Sequence, residues 1–458
     1  MQIGFHGAAR TVTGSKYLLT LDRFRLLVDC GLFQGGREME ERNFRPMPFR
    51  PDELDAVLFT HAHVDHTGYF PRLVADGFRG PAYATPPTKA LLGVLLPDSG
   101  FLQQEEARWA AKKGLPSRAL YDEEDAERAV RFLERIEFGD PKPLQKHLKI
   151  TMHRAGHILG AAFAEIRFRE ASGEWKTIVF SGDLGRRGVP ILLDPDPVPA
   201  CDVLVCETTY GDRVHEETDP KEQLRRELDE AFARGGFTVI PAFAVGRTQE
   251  VLYHLFELFE EGKLPKVPVY VDSPMANSVV ELYCRYRSEH DIEMQELEDR
   301  ASSPLQTPYF TIVKKRDDSK KLNEMPGPAV VVSASGMATG GRVVHHLFHR
   351  LRDPRSTVLF VGYQAEGTLG RRLLEGETEV SVLGEPVTVK ATIRKIPALS
   401  AHADSNELMA WLKTAPAPPK TLFLTHGEPE AQDAFAERVR AELGWNVRIP
   451  SHGDVVEV

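Results

Sequence analysis

Short apolar runs punctuate the first two hundred positions. KYLLTL, RLLVDCG, AVLFTH, KITMHRAGH, AFAEIRF, TIVFSGD and DVLVCET are rich in β-branched and aromatic residues and most end at a glycine or polar residue, which predicts strands. Between them TKALLGVLL and AERAVRFLERI repeat apolar residues three and four apart, which predicts helices. Hairpin-length gaps mixed with helices imply sheets covered by helices. From about residue 219 the rhythm becomes strand, glycine loop, helix: FTVIPAF into RTQEVLYHLFELF, PVYVDS into PMANSVVELYCRY, AVVVSASGM into GRVVHHLFHRL, and TVLFVGYQ into TLGRRLL. Nearly continuous apolar strands alternating with amphipathic helices imply a parallel sheet covered on both faces, hence a second α/β domain.

After about residue 396 the β-rich character returns with KTLFLTHGE, a helix AQDAFAERVRAEL and a closing VRIPSHGDVVEV. No internal repeat or low-complexity tract interrupts the chain. The Pro-rich segments DPDPVPA, ending at Ala200, and TAPAPPK, ending at Lys420, are the expected linkers.

Composition narrows the class. With 458 residues, 42% of them hydrophobic, the chain has room for two or three domains with a substantial core, and its 32 scattered prolines exclude collagen and coiled coil. No apolar run reaches the ~18 to 20 residues needed to span a bilayer, and the N-terminus lacks a basic segment followed by an apolar one. A cytoplasmic protein with no membrane association is expected. The four cysteines, Cys30, Cys201, Cys206 and Cys284, form no C-x-x-C pair, which argues against a disulfide scaffold or zinc knuckle. The net charge of −10, from 57 basic and 67 acidic residues, argues against coating nucleic acid by bulk charge but leaves room for a local basic groove.

The chemistry concentrates after the strand AVLFT, in His61-Ala62-His63-Val64-Asp65-His66. In extended backbone, side chains two apart share a face, so His61, His63 and Asp65 converge, and His66 joins them only if the chain turns there. Imidazole and carboxylate suit a borderline divalent ion such as zinc. Three further donors sit at the ends of apolar strands: His157 in RAGHILGAA, Asp183 in IVFSGDLG and His426 in LFLTHGE. Each taken alone reads first as an ordinary polar strand end. Together with the H-x-H-x-D-H run they suffice for a two-metal site, which needs a bridging group and several terminal ligands.

The order and wording of these motifs resemble the metallo-β-lactamase superfamily and, within it, the β-CASP nucleases of the RNase J and cleavage-and-polyadenylation group. VDCGLFQG with Asp29, HAHVDHTG, AGHILGAA and SGDLG resemble the first four motifs; Glu207 in CETTYGDR, His402 in LSAHAD and His426 in LTHGE resemble the three special to β-CASP members. The resemblance implies an αββα metallo-β-lactamase sandwich formed by residues 1–208 and 396–458, with an α/β β-CASP domain inserted at 209–395. It implies two Zn²⁺ per chain, one held by His61, His63, His157 and Asp183, the other by Asp65, His66, Asp183 and His426. Asp29 would orient ligands from behind, or else be a turn residue before Gly31. His402 is implied as general acid with Glu207 fixing its tautomer, and Asp65 joins them in the catalytic set. The plainer alternative makes His402 a strand-end or helix-cap polar group and Glu207 a buried countercharge. The chain lacks counterparts of the N-terminal KH region of archaeal relatives and of the C-terminal extension of RNase J, so a minimal catalytic core is expected.

Three glycine-containing turns of the second domain, PAFAVGRTQE, VVSASGMATGG and VGYQAEGTLGRR, lead into helices whose N-termini suit phosphate. Arg247, Ser335, Gly336 and Arg371 are therefore the substrate-binding candidates, against the alternative that such turns are purely structural and that Arg371 or Arg372 lies on a solvated helix face. Lys314 and Lys315 read as surface residues. The function expected is a zinc-dependent ribonuclease cutting single-stranded RNA to 5′-phosphate and 3′-hydroxyl ends, in a cleft between the two domains. Hydrolysis of small thioesters or lactams, and a β-CASP nuclease acting on DNA, are the alternatives; His426 stands where DNA-cutting relatives typically carry an aliphatic residue, which favours RNA. No sequence feature identifies a protein partner.

Overall fold

The computed structural model describes the chain except Arg23, Lys113, residues 115–117, Ala171, Glu217, residues 301–302, Tyr363, Glu366 and the side chains of Arg37 and Trp109. It divides into two compact units. Unit 1 comprises Met1–Gly188, Leu193–Val214 and His402–Val458; unit 2 comprises Val189–Leu192 and His215–Ala401.

Unit 1 holds two seven-stranded sheets. The first runs, edge to edge, Val455–Glu457, Gln2–Phe5, Tyr17–Leu21, Phe24–Val28, Ala56–Leu58, Ala82–Ala84 and Leu133–Arg135. The second runs Val447–Arg448, Thr421–Thr425, Val203–Glu207, Trp175–Phe180, Ala162–Arg169, Leu148–Arg154 and Lys142–Gln145. Alternate residues of both sheets enter one core: Ile3 and Phe5, Tyr17, Leu19 and Leu21, Leu26 and Val28 from the first, and Ile150 and Met152, Ala162, Ala164 and Ile166, Ile178 and Phe180, Val203 and Val205 from the second. The period of two puts one face of these strands into the apolar layer between the sheets.

In unit 2 the strands Phe310–Ile312, Val269–Val271, Ala329–Ala334, Phe237–Ala242, Thr357–Phe360 and Thr392–Lys395 form one sheet in that order, every neighbouring pair parallel. Helices Pro220–Ala233, Arg247–Glu260, Pro274–Arg285 and Gly341–Arg350 pack on it. This is the doubly wound pattern anticipated from the apolar strands.

Several local expectations differ from the fold. AERAVRFLERI is not one helix: the helix Glu123–Val130 ends and Leu133–Arg135 becomes an edge strand. TKALLGVLL lies inside the much longer helix Pro86–Lys112. The two Pro-rich segments do not join the units. Both belong to unit 1, where Val198 N donates to Thr414 Oγ1 at 2.9 Å and Trp411 Nε1 donates to the Asp196 carbonyl, also at 2.9 Å. Proline there fixes ordered loops rather than a hinge. No helix among the described residues is long and apolar enough to cross a membrane.

Candidate metal centre

The strand Ala56–Leu58 delivers His61 to the centre in extended backbone, and His63 then caps the short helix Val64–Thr67. The turn at His63 breaks the alternation expected for Asp65. Asp65 and His66 leave from the helix, so His61 and His63 face one group of donors and Asp65 and His66 another. His157 follows Leu148–Arg154, Asp183 follows Trp175–Phe180, Glu207 ends Val203–Glu207, and His426 follows Thr421–Thr425. Parallel pairing of the last two strands sets Glu207 opposite Thr425, which brings Glu207 and His426 side by side.

Two clusters result, each with its ligand atoms within 4.8 Å of one another: His61, His63, His157 and Asp183, and Asp65, His66 and His426. In the first, His63 Nδ1 lies 3.1 Å from His61 Nε2 and 3.2 Å from His157 Nε2, while Asp183 Oδ2 lies 3.4 Å from His61 Nε2 and 3.7 Å from His157 Nε2. In the second, His66 Nε2 and His426 Nε2 are 3.1 Å apart, and His426 Nε2 is 3.4 Å from Asp65 Oδ2. Asp183 joins the two, since its other oxygen, Oδ1, lies 3.2 Å from His66 Nε2 and 3.5 Å from His426 Nδ1.

The electrostatics match cation ligands. Burial first, then the neighbouring His66, pushes His61 down to about 3; burial likewise takes His63 to about 4 and His157 well below its ordinary value. These three imidazoles are therefore neutral, the form that binds metal. Burial opposes ionisation of Asp183, but the facing His426, His66 and His61 hold its carboxyl well below the usual range. Burial also opposes a charge on His66, yet Asp183 and Asp29 hold it well above its usual value.

Neutral ring nitrogens whose lone pairs meet at about 3 Å repel unless a proton or cation lies among them. Asp183 Oδ1 is buried with no hydrogen-bond partner. Converging imidazole and carboxylate donors with an unsatisfied bridging oxygen fit zinc in both number and softness.

A second ring of residues orients these ligands. Asp29 Oδ2 accepts from His66 Nδ1 at 2.8 Å and from Thr60 Oγ1 at 2.9 Å, while Oδ1 accepts from Thr60 N at 2.9 Å. Thr60 Oγ1 is 3.1 Å from His61 Nδ1, so one hydroxyl links Asp29 to a second imidazole. Thr209 Oγ1 donates to Glu207 Oε2 at 2.6 Å and lies 3.1 Å from His426 Nδ1. Such outer partners fix tautomer and ring orientation. Thr60 and Thr209 escaped the sequence reading, because a threonine beside a histidine or a glutamate carries no signal until the strands are paired.

Glu207 Oε1 accepts from Leu184 N at 2.6 Å and lies 3.3 Å from His402 Nδ1. Burial works against a charge on His402, but Glu207, by charge and hydrogen bond, with Asp183 and Asp65, brings its pKa up to about 9. Cations bound at Asp183 and Asp65 would oppose this rise.

The four substrate candidates all lie in unit 2, in loops that touch one another. Gly336 packs so closely on Phe243 that an added Cβ would come 2.8 Å from the ring, Gln364 Nε2 donates to Gly336 O at 2.9 Å, and Gly370 N donates to Met337 O at 3.2 Å. Ser335 Oγ accepts from Thr339 N at 3.2 Å. Arg247, at the start of its helix, is buried and ion-paired with Glu250, and Arg371 pairs with Glu375 one turn along its helix at 2.6 Å. Gln364 was not anticipated. Tyr363 and Glu366 of the same turn lie outside the described residues.

Three family models match the chain: a metallo-β-lactamase superfamily domain over residues 18–180, a Beta-Casp domain over 248–373, and a Zn-dependent metallo-hydrolase RNA specificity domain over 386–450. Fold and donor set thus define a zinc-dependent metallo-hydrolase. The chain is 39% identical to ribonuclease TTHA0252 of Thermus thermophilus over the whole of both chains, and 30% identical to the transcription termination factor FttA of Methanocaldococcus jannaschii over all of this chain and 72% of that one. It belongs to the metallo-β-lactamase superfamily, in the branch that carries β-CASP and RNA-specificity domains. A crystal structure of a protein of unknown function from Enterococcus faecalis V583 shares the fold, with TM-score 0.55 and 14% identity over 100% of this chain and 99% of that one.

Proposed function

We propose that the chain is a ribonuclease that hydrolyses phosphodiester bonds of single-stranded RNA to 5′-phosphate and 3′-hydroxyl ends. The observation that carries this reading is a carboxylate, Asp183, shared by two donor clusters, with a histidine–glutamate pair beside it. The RNA specificity domain and the 39% identical ribonuclease support RNA as the substrate class.

We assign His61, His63, His157 and Asp183 to one zinc and Asp65, His66, Asp183 and His426 to the other. Bound there, two zinc ions would acidify water and offset charge on a phosphoryl group. Asp65, the most exposed carboxylate of the cluster at 19%, receives a proton from the attacking water. As the P–O3′ bond breaks, His402 gives its proton to the 3′-oxygen, with Glu207 at Nδ1 leaving Nε2 toward substrate. Asp29 acts through His66 and touches no reacting atom.

The test incubates zinc-loaded protein with end-labelled single-stranded RNA, the matching DNA strand and duplex RNA. The RNA strand is expected to be cut much faster than the other two, and His402→Ala to lower turnover by ~10² to 10⁴-fold with zinc content unchanged. Equal rates on RNA and DNA would refute the RNA preference. Nitrocefin or thioester turnover without nuclease activity would move the reading to small-molecule hydrolysis.

A further inference from the structure

Unit 1 holds a second polar cluster that the metal centre does not use. Its hub is Phe33, only 6% exposed, at the end of the segment that carries Asp29 and Gly31. Lys16 Nζ lies 4.5 Å and the Arg42 guanidinium 5.8 Å from the ring centroid, and the His452 ring meets Phe33 edge-on at 6.0 Å. The arrangement is clamped: Asn43 Oδ1 accepts from Phe33 N at 2.9 Å and Asn43 Nδ2 donates to Phe33 O at 2.7 Å. This pins the short helical turn Arg42–Phe44 to Phe33, with the exposed Arg45 just beyond it.

His6 completes the cluster. It is 8% exposed, its Nε2 edge lies so near Gly4 that an added Cβ would come within 2.5 Å, and its Nδ1 has no hydrogen-bond partner. Nε of Arg42 is likewise buried without a partner. Burial, then His452 and Lys16, pushes His6 down to about 4; burial, then Arg42, Lys16 and Arg45, lowers His452. Every charged group acting on the two histidines is thus basic. Among the described residues, none of Lys16, Arg42, Arg45, His6 and His452 has a carboxylate partner.

Lys16, Arg42 and Arg45 are thus cations without a facing carboxylate in a protein of net charge −10, and the two neutral imidazoles beside them offer N–H donors, a combination that suits an anion. We propose that Arg42 over the Phe33 ring, Arg45 at the end of the same helical turn and His452 at the ring's edge bind a phosphate group of the RNA strand at a subsite separate from the metal centre. The assignment rests on RNA being the substrate. Lys16 contributes its field only, because its ammonium already donates to the carbonyls of Gly31 and Gly14. The subsite adjoins the catalytic wall: Gly31, on the far side of Lys16, is pressed against the backbone of Asp65 and His66, where a Cβ would collide. Guanidinium groups suit phosphate because their donors match its oxygens in pairs.

The test uses zinc-loaded protein and a fluorophore-labelled phosphorothioate single-stranded RNA, which keeps the phosphate charge but resists cleavage. Affinity is measured by anisotropy across a salt series, with zinc content and unfolding midpoint taken on the same samples. The double variant Arg42→Gln, Arg45→Gln is expected to bind about tenfold more weakly, and its slope of log affinity against log salt to flatten by about 1.4, two contacts at ~0.7 each. Arg42→Lys with Arg45→Lys, which keeps both charges but not the paired donors, is expected to restore the slope and only part of the affinity. His452→Gln, at an exposed position, gives an independent reading in the same direction should the arginine pair fail to fold. Unchanged affinity and slope in variants of a wild type that binds and cuts RNA would overturn the subsite alone. Affinity lost together with zinc or with the unfolding midpoint would make the cations structural and overturn it too. A wild type that does not bind the strand overturns both the subsite and the RNA reading.

Discussion

Asp29 shows how much one carboxylate can organise from behind a metal site. It accepts three hydrogen bonds, from His66 Nδ1, Thr60 N and Thr60 Oγ1, and holds a left-handed backbone with φ of 57° to do so. Asp29→Asn keeps the shape but sets an amide N–H₂ against one of these donors. Zinc affinity is expected to fall about 10- to 100-fold, read by competition with a chromophoric chelator; unchanged affinity would reduce Asp29 to a turn residue. Lys16 makes a different prediction. Fully buried, its ammonium is pushed by desolvation from the usual 10.5 down to about 8, with Cys30 only partly opposing. Its folded pKa thus lies below its unfolded one, so between about pH 8 and 10.5 the unfolded chain binds the extra proton and stability rises with pH. Denaturant unfolding of wild type minus Lys16→Met is expected to show this rise across that window and none below it. A difference that stays flat through pH 10 would mean the lysine is solvated.

At the scale of elements, legibility followed periodicity. The strands Tyr17–Leu21, Ala162–Arg169 and Trp175–Phe180 were readable as short β-rich runs bounded by turn residues, and the parallel sheet of unit 2 from nearly continuous apolar strands that are buried on both sides. The stretch from Ala126 to Ile136 misled because Ala129, Phe132 and Leu133 preserve a helical spacing although the helix ends at Val130; tertiary pairing of Leu133 with Ala82 overrides the local pattern. The donors themselves were legible as strand-end residues. Their grouping was not readable from alternation, because His63 caps a helix and rotates Asp65 and His66 toward His426. Thr60, Thr209 and Gln364 were invisible for the same reason: each acts through a neighbour set by strand register or loop packing, hundreds of positions away in the case of Thr209 and His426. The Arg247 candidate illustrates the converse. A helix N-terminus marked it as cationic and available, but its charge is buried and answered by Glu250.

For the molecule as a whole, every residue we assign to zinc lies in unit 1, in the segments that follow Ala56–Leu58, Leu148–Arg154, Trp175–Phe180 and Thr421–Thr425. Two zinc ions held there would tie both seven-stranded sheets together, since His61 and His66 follow a strand of the first while His157, Asp183 and His426 follow strands of the second. A ligand that binds only the folded state stabilises it by about 4 kcal/mol at a thousandfold excess over its dissociation constant. Without the ions, the buried Asp183 and the partly buried Asp65 remain beside closely spaced imidazoles, and their charges must be met by protons instead. Chelation is thus expected to lower the stability of unit 1 and to leave unit 2, with no proposed ligand, largely unaffected. Hydrogen exchange resolves the two. On adding chelator, amides of Ala56–Leu58, Val203–Glu207 and Thr421–Thr425 should lose protection, those of Phe237–Ala242 and Ala329–Ala334 should not, and zinc should restore the former. Equal loss of protection in both units would mean that they unfold together, and no loss in either would mean that the cluster holds its geometry without metal.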